Sequence, residues 1–150
     1  MKKNLLDKPV AIEIIERIGR LKADTRNLWG TMNATEMLLH CNLANKSILE
    51  NESPYQKPSL KERLIKFAIF YILPKLPKNN KGPLRLDVRG TIDKNQFQEQ
   101  KEKYIETIDR FPVHEKPITA IHPRAGYINT KEWGIFTWMH MDHHLRQFGL

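Results

Sequence analysis

Residues 129–149 read NTKEWGIFTWMHMDHHLRQFG, and this stretch decides the fold. Asn129-Thr-Lys-Glu132 is a capping box, in which the Asn side chain and the Glu three residues on satisfy each other's backbone amides and start a helix. No proline follows before Gly149, so the spacing predicts a helix running to about Phe148. Each helical residue turns the chain by about 100°, which puts His140 and His144 roughly 40° apart on one face. Trp133, Thr137 and Gln147 fall within about 60° of the same direction, so the histidine pair points inward. His143 lies about 60° to the other side of His140. It competes with His144, but the residue four on lies more nearly in line along the axis.

Upstream, the same grammar recurs. Asn33-Ala-Thr-Glu36 is a second capping box and opens a helix over roughly residues 34–49, with Met37, Cys41, Ala44 and Ile48 along one face. His40 shares that face. Ser59-Leu-Lys-Glu62 is a third box, and its helix is expected to run to Pro74. Asp7 is expected to cap a first helix with Pro9 in its opening turn and Val10, Ile14, Ile15, Ile18 and Leu21 at helical spacing. A further helix is expected from near Asp93 to Phe111. Pro74 to Gly90 is rich in Pro, Gly and Asn and reads as a long connection. The single strand candidate is PITAIH, residues 117–122. The expectation is one all-α domain over residues 1–150, a four-helix bundle with one additional shorter helix, because amphipathic helices of this length bury their stripes against each other.

Composition narrows the class. The 150 residues suit one core, and a single cysteine, Cys41, forbids an internal disulfide and suits a reducing cytoplasm, the expected location. MKKNLLDKPV has two lysines without an apolar run behind them, so it does not read as a signal peptide. The longest apolar stretch, Leu64 to Leu73, contains Lys66 and is too short to span a bilayer. The net charge is +8, and residues 57–89 hold nine basic residues against Glu62 and Asp87. A solvated basic face is the plain reading of that segment; a surface for phosphate, anionic lipid or an acidic partner is the other. A helix-turn-helix reading of the first two helices fails, because ADTRNLWGTMN is too long a turn and the second helix is nearly uncharged. The carboxylate-rich Glu-x-x-His pairs of a di-iron bundle are absent.

The histidines carry the chemistry. Two imidazoles one turn apart on a helix can converge on one ion, and His40 on the apolar face of a separate helix makes a third inward donor. Three neutral imidazoles leave positions open for water or substrate, the pattern of a catalytic site. Cys41, about 100° round the helix from His40, reads as packing. His122 reads as a loop residue that packs or caps, and His114 as exposed. Thr137 and Gln147 are placed to orient the imidazoles, with His143 as a further neighbour. Glu36, one turn before His40, is the one candidate base, with the capping box as its competing role.

At these residues the chain resembles a known family. Trp29-Gly-Thr-Met-Asn-Ala-Thr-Glu-Met-Leu-Leu-His40, Glu132-Trp-Gly and His140-Met-Asp-His-His-Leu-Arg-Gln-Phe-Gly149 are similar to the DinB-like superfamily, and within it to the bacterial branch ending in HxDHHLRQFG. The likeness covers roughly residues 15–50 and 120–149. It implies a four-helix bundle and a divalent metal site, zinc or nickel, with His40, His140 and His144 as ligands. It also implies an enzyme acting on a small molecule, by thiol transfer from a low-molecular-weight thiol to an electrophile or by hydrolysis, and a homodimer. The branch's His-Pro-x-Phe-Gly step is His122-Pro-Arg-Ala-Gly126 here, with Ala125 in place of the aromatic. The competing class is a non-catalytic binding module that uses residues 57–89 for nucleic acid or an anionic surface.

Overall fold

Apolar residues at a 3.6-residue period need a partner face, and four long segments of this chain have such a stripe. In the computed structural model, which describes residues 2–78 and 82–150, the described residues form five α-helices and one small hairpin. The helices are α1 (Lys8–Gly19), α2 (Ala34–Glu50), α3 (Leu60–Phe67), α4 (Phe97–Arg110) and α5 (Thr130–Gln147). The mostly helical architecture agrees with the all-α expectation. Helix α4 packs on both α1 and α2, and α5 packs on the same two. One continuous core results, including Leu5, Ile14, Ile18, Met37, Leu38, Tyr104, Ile108, Met141 and Leu145. Each such aliphatic side chain contributes about 1.5–3 kcal/mol by leaving water.

All three capping boxes form. Asn33, Ser59 and Asn129 accept from the amides of Glu36, Glu62 and Glu132, whose carboxylates reach back to the cap amides. Asp7 departs from expectation: it sits at the N-cap of α1, but its side chain makes no capping bond. The local side-chain turn is made earlier, where Asn4 Oδ1 accepts from Leu6 N at 2.9 Å. That segment is clamped onto α5 at Gly134, whose carbonyl accepts from Leu5 N at 3.0 Å. A Cβ on Gly134 would stand 1.9 Å from Asn4 Oδ1, so only glycine permits this approach.

The helix opened by Ser59 continues beyond α3 as a π-helical turn, Ala68–Ile72, and ends at Leu73. None of α3 is buried. The strand expected over residues 117–122 shrinks to β1 (Ile121–His122), paired antiparallel with β2 (Gly126–Tyr127). Gly126 in the left-handed region at φ 63° closes the hairpin. Asp93 caps a short 3₁₀ turn, Lys94–Gln96, so α4 starts one turn later than the spacing predicts. No helix among the described residues is long and apolar enough to cross a membrane.

Candidate metal centre

Helix α2 presents His40 and helix α5 presents His140 and His144, because their capping boxes fix where each helix starts and hence which residues face inward. The three rings meet edge to face, with His40 4.7 Å from His144 and 5.2 Å from His140 between centroids. Their Nε2 atoms converge: His140 Nε2 is 3.2 Å from that of His40 and 3.0 Å from that of His144. Nitrogens held at about 2.0–2.1 Å around a tetrahedral zinc would stand roughly 3.3 Å apart, close to both contacts of His140, and all three donors lie within 4.8 Å of one another. Among the described residues it is the one group of three or more His, Cys, Asp or Glu side chains with its donors close enough to share an ion.

The outer nitrogens explain why Nε2 faces inward. His40 Nδ1 lies 2.8 Å from Leu86 O, and a carbonyl can only accept, so the proton sits on Nδ1 and the lone pair on Nε2. His144 Nδ1 likewise donates to Gln147 Oε1 at 2.6 Å. Two lone pairs therefore point at His140 Nε2, which has at most one hydrogen to offer. His140 Nδ1 is buried without a hydrogen-bond partner among the described residues. A cation at the meeting point would satisfy all three Nε2 atoms, whereas a proton shared among them cannot.

Electrostatics favour the neutral, ligating form. Burial lowers the pKa of all three rings. For His144, burial and then the neighbouring His40 bring it to about 3, against the opposing bond to Gln147. For His140 the neighbours His144 and His40 add to burial and hold it well below its usual value. Neutral imidazole is the form that binds metal, so protons compete weakly here.

The other candidates divide. Gln147 Oε1 stands 2.6 Å from His144 Nδ1, within reach to hold that ring. Thr137 faces inward but donates its hydroxyl to Trp133 O at 2.8 Å, so it supports its own helix and not a histidine. His143 stands beside the group, its ring edge-on to His144 and its Nδ1 3.3 Å from Leu76 O. Glu36 is buried with both oxygens engaged, one accepting from Asn33 N and the other from Gly90 N, each at 2.8 Å. Cys41 is buried against Met37 sulfur, and burial pushes its thiol pKa up. His122 packs and caps: its Nδ1 accepts from Ala125 N at 2.9 Å, and its ring lies 4.4 Å from Phe136. His114 is half-buried, not exposed.

Two contributions escaped sequence reading. The Pro- and Gly-rich connection supplies Leu86 O and Leu76 O, which a search for side-chain motifs cannot find. Gly30 backs the site from the other side: at φ 83°, its hypothetical Cβ would lie 2.8 Å from Gln147 Nε2. The one hint was the glycine after Trp29.

Of the basic segment, Lys81 lies outside the described residues. Lys66 pairs with Glu132 at 2.8 Å, Arg89 with Asp87, and Lys78 stands over the Trp29 ring. One family model matches residues 2–149, that of "Protein of unknown function (DUF1569)". No curated protein and no solved structure gives a match.

Proposed function

The chain belongs to the DUF1569 family, and from that premise we propose that it is a divalent-metal-dependent enzyme acting on a small molecule, its ion held by His40, His140 and His144. One observation carries the reading: the Nδ1 atoms of His40 and His144 donate outward, which leaves two lone pairs aimed at the Nε2 of His140. The resemblance to the DinB-like superfamily supports the same ligand set, zinc or nickel as the ion, a homodimer, and a four-helix bundle of α1, α2, α4 and α5. When bound, the ion supplies Lewis acidity at a position with coordination sites left over for a reactant.

What the chain's own residues contribute is orientation and exclusion of water. Leu86 O and Gln147 Oε1 fix two rings, while Phe136 stacks parallel to His140 at 6.1 Å. No carboxylate joins the histidines within ligand distance among the described residues. Glu36 already holds two backbone amides, so it is poorly placed to take a proton. Hydrolysis asks for such an acceptor and thiol transfer asks for less, so thiol transfer to an electrophile is the favoured reaction.

Metal analysis of protein purified without a polyhistidine tag tests the site. About one zinc or nickel per chain is expected, falling to background in His140→Ala. Unchanged metal content in that variant would refute the assignment. Turnover of an electrophile with low-molecular-weight thiols by the loaded protein, absent from the His140→Ala variant, then tests the reaction.

A further inference from the structure

We infer that α3 and the turn following it dock onto an anionic lipid surface. Large apolar side chains are exposed over a short span here: Leu60, Leu64, Phe67, Tyr71 and Ile72 are each between 54% and 74% accessible. They amount to five of the eleven exposed large hydrophobics on the described protein, within thirteen residues. On the helix, Leu60, Leu64 and Phe67 fall within about 60° of one another. The Phe67 and Tyr71 rings stack at 5.2 Å, which carries the stripe into the π turn. Tyr55 beside it, 68% accessible, adds a third exposed aromatic ring.

Charge selects the occupant. Lys61 and Arg63 lie about 100° and 60° to either side of Leu60, flanking the stripe, and both are exposed. Lys57 before the helix and Lys75 after it are exposed as well. The acid within α3, Glu62, is folded back onto the Ser59 amide by the capping box. A second copy of this face would bring like charges together. A nucleic-acid backbone would leave the apolar stripe in water. A bilayer with anionic headgroups takes both, with the stripe at the acyl boundary and the basic rim among the headgroups. Aromatic rings at the edge of such a stripe suit the headgroup layer.

Co-sedimentation of the full chain with vesicles tests the inference. Binding is expected on phosphatidylcholine vesicles containing about 30% phosphatidylglycerol, with at least tenfold less on phosphatidylcholine alone, and release in about 1 M salt. Replacing both Lys61→Glu and Arg63→Glu should weaken binding by about thirtyfold or more, and Phe67→Ser by about tenfold. These side chains are exposed, so melting curves and helical circular dichroism should match the parent. Three results would overturn the proposal: equal binding to both vesicle types, binding unaffected by the variants, or no vesicle binding alongside a dimer that Phe67→Ser dissociates. Salt-sensitive retention of duplex DNA without vesicle binding would overturn it equally. Metal content is indifferent to these variants, so this test and that of the histidine site fail separately.

Discussion

Gln147 decides which nitrogen of His144 faces its neighbours. Without an acceptor at Nδ1, the ring is free to flip or to move its proton to Nε2, where it would block ligation. Gln147→Leu is therefore expected to weaken zinc affinity about tenfold to a hundredfold, measured by competition with a chromophoric chelator, while the fold persists. An unchanged affinity would remove Gln147 from the site. Gly30→Ala acts on the same side chain from behind, through a Cβ 2.8 Å from Gln147 Nε2 at a positive φ. It should lower affinity in the same direction and cost about 1–2 kcal/mol of stability in urea melts. At this scale the sequence was informative where chemistry follows periodicity. His40, His140, His144 and Gln147 all declare themselves by helical angle. Leu86 does not, because a backbone carbonyl has no side-chain signature and its segment has no period.

Helix α5 is joined to α1 by charge as well as by packing. Asp142 takes Arg17 at 3.0 Å and Arg146 at 2.8 Å, all largely shielded from solvent. Burial pushes the Asp142 pKa up, but the two guanidinium bonds win and hold it below the usual carboxylate range. Asp142→Ala should cost about 2 kcal/mol in a urea melt, since both arginines lose a charge-assisted partner. A loss within a few tenths would mean solvent screens the pair. The elements themselves were readable because three capping boxes give helix starts nearly residue by residue. Asp7 shows the limit: a suitable residue stands at the N-cap position, yet its side chain makes no capping bond. PITAIH shows another, since Pro117 cannot donate a ladder bond and the segment has a partner strand only at its last two residues. Leu60, Leu64 and Phe67 of α3 share one face at helical spacing, yet that stripe faces outward. Hydrophobic spacing says that a face exists, not what covers it.

Over the whole molecule, buried histidines make stability depend on acid. Burial, then the nearby Arg124, lower His122 to about 4, and His144 is brought to about 3. In the unfolded chain both return to about 6.5, so as pH falls the unfolded state takes protons first. Their contribution is full above pH 6.5 and is lost progressively towards pH 4 and below. Urea midpoints of metal-free protein should fall across that window, and a flat profile would show the rings to be solvated. Zinc at a hundredfold excess over its Kd should add about 2.7 kcal/mol, seen as a rise of several degrees in Tm that His140→Ala abolishes. The connection between α3 and α4 adds a kinetic side to this. His40 grips it at Leu86, Glu36 at Gly90 and His143 at Leu76, with exposed Arg85 between the anchors. An imidazole that donates its lone pair to a cation becomes a stronger hydrogen donor at its other nitrogen, so ion binding tightens the hold on Leu86. The peptide bond after Arg85 thus becomes a reporter: limited trypsin digestion should nick it more slowly in the loaded protein, turning occupancy of a hidden centre into a band on a gel.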